Sequence, residues 1–390
     1  MKYKILFVTL FPQIGGAETS LVYVLQKLDR KRFEPIVLLP KEGYLSERIK
    51  PLGIRMVFLE LPGFLIRQLF VPGINPFAVW KFYQLCKEIQ PHVIHLNHTT
   101  LACYTGIVSK LLHIPVVAIS WVNSDSIYAY QDIATNFGTD AILAITPKLQ
   151  KRITRNGVVK KEKVMILTPG VDTQIFRPTT NKVLAKKDLG INPDSVTIGI
   201  ASRFDPVKDH LTFFTAMNIV AKIASNITIL VAQDPSINLE EKNTFAPIVK
   251  KNIDVYLANN PTVKERVVFV GYKQNMLPFY QATDILVSSS LYEGLGMIHM
   301  EGASCGLPIV STNFDGQHII VKNGRTGYLV PIRTPKLLAE KILTLVQNKR
   351  LREQFGAEAR AHILKNFSIE RYTKKVQDVY LGLVRPPAGG

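Results

Sequence analysis

The 390-residue chain contains no Asp-x-Asp pair, so the closely spaced carboxylates that clamp a divalent ion onto a diphosphate are missing. Its three cysteines, Cys86, Cys103 and Cys305, have no motif spacing. They fit a reducing compartment better than a disulfide framework or a zinc site. No run of 18 uncharged apolar residues occurs, so no segment is expected to span a membrane. Neither G-x-G-x-x-G nor a P-loop lysine is present, which removes dinucleotide and Walker-type readings. Low-complexity tracts and internal repeats are absent as well. Residues 1–4 and the apolar stretch 5–10 are too short for a signal peptide and lack a small-residue cleavage site. A buried first strand is expected there, in a cytoplasmic protein.

Basic charge is in excess. The net charge is +18, and basic residues outnumber acidic ones in both halves. An even spread argues against a nucleic-acid tail, and no nucleic-acid motif is visible. Two explanations stand open: a surface drawn to anionic lipid or polyanionic substrates, or plain solubility. Short apolar runs alternate with helical patterns throughout, the signature of parallel βαβ units. Strands are expected at 5–10, 35–39, 56–59, 93–96, 116–120, 141–145 and 164–167. A second set is expected at 197–200, 228–232, 267–270, 284–287, 309–311 and 328–330. The polar stretch 176–181, holding Pro178, is the expected linker. The pattern predicts an α/β chain of two doubly wound, Rossmann-like domains facing across a cleft. Their expected limits are 1–175 and 176–365, followed by a helix at 366–385. That helix carries an apolar stripe (Ile369, Tyr372, Val376, Val379, Tyr380, Leu383) that needs a surface to cover it. Residues 61–83 are aromatic-rich and broken by proline and glycine, either a core-lining loop or a lip that docks on lipid. The basic cluster from Lys148 to Lys163 is a solvated face or a phospholipid contact.

The chemistry concentrates after the strand at 284–287. Glu293-Gly294-Leu295-Gly296-Met297 opens a helix that carries Glu301. A helix N-terminus attracts phosphate, and a carboxylate accepts hydrogen bonds from sugar hydroxyls. Together they describe a pocket for a nucleotide-sugar. Arg203 and Lys208 follow the strand at 197–200, on the edge where α/β proteins bind ligands; an Arg fork and a mobile Lys suit a diphosphate. With no Asp-x-Asp, the leaving diphosphate would be neutralised by these two cations and the amides of Gly294, Leu295 and Gly296, so neither metal nor cofactor is expected. Gly15 and Gly16, between the first strand and its helix, allow close approach to the backbone. Tyr272 is a candidate base contact. His95 ends the strand at 93–96 and is expected to face the cleft. Three histidines within seven residues (His92, His95, His98) raise the odds of an acceptor-site role, and none has a neighbouring carboxylate or cysteine in sequence to make a metal site.

Taken in order, Gly15-Gly16-Ala17-Glu18, the Arg203 and Lys208 pair, the E-x7-E motif of Glu293 and Glu301, the stretch 303–312 and the stretch 323–330 resemble the retaining GT-B glycosyltransferases of family 4. The resemblance covers nearly the whole chain. It implies a hexosyl transfer from a nucleoside-diphosphate sugar to a sugar or lipid-linked saccharide, as in cell-surface polysaccharide or glycolipid synthesis, without metal. It implies that Glu301 binds the ribose, that Glu293 touches the donor sugar near the reacting centre, and that Arg203 and Lys208 hold the diphosphate. It also implies that the first domain takes the acceptor and that the last helix crosses back onto that domain. Similar enzymes usually carry a histidine where this chain has Trp121; Trp121, Asn123 and His95 are the acceptor-side candidates. The usual Gly-Gly-x-x-Glu reads Asp315-Gly316-Gln317-His318-Ile319, without its carboxylate. A nucleotide-sugar epimerase of the same fold, or a non-catalytic nucleotide-sugar or membrane-surface binding protein, is the alternative. Peripheral association with the inner face of the plasma membrane is the accompanying expectation.

Overall fold

A computed structural model describes residues 2–13, 15–61, 75–121, 129–233, 245–272, 275–314 and 316–384, without the side chains of 129–131, 233 and 272. Among these residues the strands are β1 (Tyr3–Val8), β2 (Phe33–Leu39), β3 (Arg55–Phe58), β4 (Val93–Leu96), β5 (Val116–Ser120), β6 (Ala141–Ala144) and β7 (Val164–Ile166). The second set is β8 (Val196–Ser202), β9 (Ile227–Gln233), β10 (Val267–Tyr272), β11 (Ile285–Ser288), β12 (Ile309–Thr312) and β13 (Gly327–Val330). The first set pairs in the order β3-β2-β1-β4-β5-β6-β7 and the second in the order β10-β9-β8-β11-β12-β13, all parallel. Each is a Rossmann-like sheet whose strand order reverses once, between β1 and β4 in the first and between β8 and β11 in the second. Such a reversal parts the flanking helices and opens a crevice at the carboxyl ends of the two central strands.

The central strands are buried on both faces, which is why they read as unbroken apolar runs rather than alternating ones. In the first unit Leu6, Val8, Ile36, Leu38, Ile94, Leu96 and Phe82 share a core. In the second, Ile198, Ile200, Ile229, Ile285 and Val287 pack against Phe213, Phe214 and Met217 of the helix His210–Ile223.

The chain divides into two compact units, residues 1–170 with 369–390, and residues 171–368. The break falls at Gly170–Val171, ahead of the stretch expected to be the linker. The cause is local: the Val171 amide donates to the Phe367 carbonyl at 2.9 Å, and Phe176 is buried with its ring 5.8 Å from Tyr280. The last helix, Ile369–Leu383, belongs to the first unit and buries Ile369, Tyr372, Thr373, Val376 and Tyr380. Gln377 accepts from the Asp29 amide at 2.8 Å, and Lys27 pairs with Glu370 at 3.3 Å.

That helix also settles His95. The imidazole is 1% exposed, stacked at a tilt on Phe7, with Nδ1 2.6 Å from the Tyr380 hydroxyl. The expectation that it faces a cleft is therefore corrected: β4 is covered where His95 projects, and the residue ties the returning helix to the first sheet. Tyr380→Phe removes this buried bond and leaves a ring nitrogen unpaired, so it should lower unfolding free energy by about 1–3 kcal/mol. Urea denaturation of the two proteins measures it; equal midpoints and slopes would refute the assignment.

Candidate functional site

The reversal point of the second sheet collects the E-x7-E residues. Leaving β8, Asp205 caps a single 3-10 turn, Pro206–Lys208, by accepting from the Val207 amide at 2.9 Å. Asp209 adopts a left-handed φ of 44° and caps the next helix through the Thr212 amide at 3.3 Å and hydroxyl at 2.7 Å. Leaving β11, the serine run fastens one loop to the other. Ser289 Oγ donates to the Lys208 carbonyl at 2.8 Å, and the Leu291 amide donates to the Val207 carbonyl at 2.7 Å. Thr312, at the end of β12, donates to the Ser290 carbonyl at 2.5 Å. Small hydroxyl side chains suit this work because each satisfies a backbone acceptor that a buried turn would leave unpaired.

On this frame Lys208 Nζ lies 2.8 Å from Glu293 Oε1, with both side chains 15% exposed. Ser290 Oγ donates to the same carboxylate oxygen at 2.5 Å. Burial alone would push the Glu293 carboxyl up; the Lys208 ammonium, then His299 and the two hydrogen bonds, outweigh it and hold the carboxyl below its ordinary range. Glu293 is thus an anion paired to a cation, poised where the chain turns into the helix Met297–Ser304. Gly296 makes that turn with φ of 73°, and a Cβ there would collide with the His299 ring. Gly316 packs so tightly on the Gly294 carbonyl that a Cβ could not fit, which presses the loop after β12 onto the Gly294–Gly296 turn. The first amides of a helix have no intrahelical acceptor, so the turn offers donors and partial positive charge.

Glu301 lies on the same helix, 6% exposed, and its Oε2 accepts from the Tyr280 hydroxyl at 2.7 Å. Arg203 is more open: its side chain is 44% exposed, and Nη2 lies 3.8 Å from Asp205 Oδ2. Sequence reasoning therefore named Arg203, Lys208, Glu293, Gly294, Leu295, Gly296, Met297 and Glu301, and the fold gathers them around the β8 and β11 loops. It missed the Lys208–Glu293 pairing, the anchoring serines, and His299. Both ring nitrogens of His299 and both amide ends of Gln317 are buried without a hydrogen-bond partner among the described residues. The Tyr272 side chain lies outside the described residues.

In the first unit, Gly15 and Gly16 start the helix Gly16–Lys27, and the Gly15 amide donates to Glu18 Oε2 at 3.2 Å. Trp121 donates its indole N–H to the Asn97 carbonyl at 2.8 Å. Asn123 lies outside the described residues. Among the described residues no group of three or more His, Cys, Asp or Glu side chains is placed to hold a metal ion, and no helix is long and apolar enough to cross a membrane.

Two family models match the chain: Glycosyltransferase Family 4 over residues 14–175 and Glycosyl transferases group 1 over residues 182–362. The chain belongs to this glycosyltransferase family. Along its length it is 21% identical to the Escherichia coli UDP-Gal:alpha-D-GlcNAc-diphosphoundecaprenol alpha-1,3-galactosyltransferase, over 98% of each chain. It is 26% identical to the Staphylococcus aureus capsular polysaccharide biosynthesis glycosyltransferase CapM, over 67% of each. Among solved structures, Anabaena Alr3699/HepE in complex with UDP superposes with a TM-score of 0.82 at 19% identity, over 98% of this chain and all of that one. The shared fold is GT-B.

Buried histidines give the family member a pH signature. Burial lowers His95 to about 3, and His210 and His299 to about 4, from an ordinary value of 6.5. The unfolded chain takes up these protons first, so stability should be full above about pH 6.5 and fall as pH drops toward 4, each residue adding a slope of up to about 1.4 kcal/mol per pH unit. Thermal melts across that range test it; a melting temperature that stays flat would contradict the burial of these rings.

Proposed function

We propose that this glycosyltransferase moves a hexosyl group from a nucleoside-diphosphate sugar, with uridine as base, onto a sugar or lipid-linked saccharide, with retention and without a metal ion. The observation that carries the reading is the Lys208–Glu293 pair at the reversal point of the second sheet, beside a helix N-terminus. A diphosphate binding there competes with Glu293 for Lys208; Arg203 and the amides of Gly294, Leu295 and Gly296 supply the rest of its charge balance. Glu293, released from Lys208, accepts from hydroxyls of the donor sugar, and Glu301 accepts from the ribose. The bond from the sugar C1 to the phosphate oxygen breaks while the acceptor oxygen bonds C1 on the same face. The acceptor proton passes to a phosphate oxygen, and a nucleoside diphosphate leaves. Gly15 and Gly16 are assigned to the donor, Trp121 and Asn123 to the acceptor. UDP in a neighbour of the same fold and the lipid-linked acceptor named for the E. coli relative support this choice of substrates.

Arg203→Ala should lower transfer from UDP-hexose by about 10²–10³-fold, the usual weight of one donor to a departing anion. Glu293→Gln should abolish transfer, and EDTA should leave the wild-type rate unchanged. Full turnover by Arg203→Ala, or loss of activity in EDTA restored by magnesium, would contradict the mechanism.

Peripheral contact with anionic membrane belongs to the same reading. Phe77 and Trp80 stack at 5.9 Å while 59% and 54% exposed, with Lys81 over the Phe77 ring at 4.4 Å. Aromatic and basic groups so joined suit the headgroup boundary. Of the stretch 61–83, read as a core-lining loop or a lip, residues 62–74 lie outside the described residues and Leu61, Ala78 and Phe82 are buried, while Lys163 of the basic cluster is tied to the Asn136 and Thr139 carbonyls at 2.7 and 2.8 Å. Co-sedimentation with phosphatidylglycerol vesicles should be strong and fall with added salt. Absence of sedimentation at low salt would exclude the contact.

A further inference from the structure

The first sheet also reverses its strand order, and the residues collected there are unlike a helix cap. Glu18, 4% exposed, receives three donors from two loops: the Gly15 amide after β1 at 3.2 Å, and two side chains after β4. These are Asn97 Nδ2 at 3.4 Å and His98 Nε2 at 2.8 Å. A capping residue needs only the first. The imidazole is 18% exposed while its carboxylate partner is 5% exposed, so a buried acid holds an accessible ring. With Nε2 directed at Glu18, Nδ1 has no hydrogen-bond partner among the described residues. Asn97 Oδ1 is likewise buried and unpartnered. Phe11, 49% exposed, meets the His98 ring edge-on at 5.1 Å, and the Trp121 indole is fixed to the Asn97 carbonyl at 2.8 Å. An accessible aromatic face beside an oriented imidazole matches a saccharide, whose ring has an apolar C–H face and a rim of hydroxyls. The position is the crevice where such sheets bind ligands.

We infer that Glu18, His98 and Phe11 form a saccharide subsite in the first unit, in which Glu18 orients His98 and His98 Nδ1 accepts a hydrogen bond from a hydroxyl of the acceptor sugar. The inference rests on the glycosyltransferase reading above and adds to it the partnership of Glu18 with His98 and the contact of Phe11, neither of which is legible in the sequence. It also changes the account of the three histidines: a carboxylate neighbour exists, contributed from far away in sequence. Glu18 is a positioning residue; His98 touches the sugar.

The test uses the whole protein labelled with ¹⁵N-histidine, with the His98 signals identified by their loss in His98→Gln. The probes are p-nitrophenyl glycosides of glucose, galactose and N-acetylglucosamine in both anomers, and UDP-glucose separately. At least one glycoside should shift the His98 ring signals, and His98→Gln should weaken that glycoside about tenfold, the worth of one hydrogen bond of about 1.4 kcal/mol. Shifts with UDP-glucose and none with any glycoside would give the subsite to the donor and overturn the inference. UDP-glucose that raises the melting temperature while no probe moves His98 contradicts this inference alone. UDP-glucose that changes neither contradicts the function reading with it.

Discussion

The contact between Lys208 and Glu293 joins two loops that are far apart in sequence but leave adjacent strands, and much of the second unit's design serves to hold it. Serines at 289 and 290, the threonine ending β12 and the Asp205 cap each fix one part of those loops by hydrogen bonds between 2.5 and 2.9 Å. Gly296 and Gly316 let the turn and its neighbouring loop close to backbone distance. A carboxylate in so dry a place is tolerable because a cation sits against it; alone it would take up a proton. The same circumstances make the pair responsive, since an incoming anion of higher charge has a claim on the lysine.

Both sheets repeat one solution. In each, the segments that follow the first central strand and its reversed neighbour bring a carboxylate and a nitrogen group together: Lys208 with Glu293 in one, and Glu18, in the first turn of its helix, with His98 in the other. Parallel strands have all their carboxyl ends at one edge, so groups from distant sequence meet there without added structure. The buried acid then orients its partner instead of serving as an open charge.

The architecture was largely legible in the sequence because parallel strands of a covered sheet appear as short apolar runs, and every expected run is a strand of three to seven residues with ends moved by a few residues. The turn at Gly294–Gly296 was legible for a different reason: glycines between a strand and a helix have few other uses. Partnerships were not legible. Nothing in local pattern says that Ser290 bonds Glu293, or that Glu18 meets His98, because both depend on which strands become neighbours. His95 shows the converse error. A histidine at a strand's carboxyl end looks like a ligand group, but the helix Ile369–Leu383 returns over it and makes it part of the core. Its tyrosine partner lies 285 residues away.

The most direct measurement is a crystal structure of the protein with UDP, grown in EDTA. The account predicts Lys208 Nζ and the Arg203 guanidinium within hydrogen-bond distance of diphosphate oxygens, the Gly294–Gly296 amides on the same group, and Glu293 parted from Lys208. A diphosphate bound elsewhere, or one that binds only when magnesium replaces those cations, would contradict it.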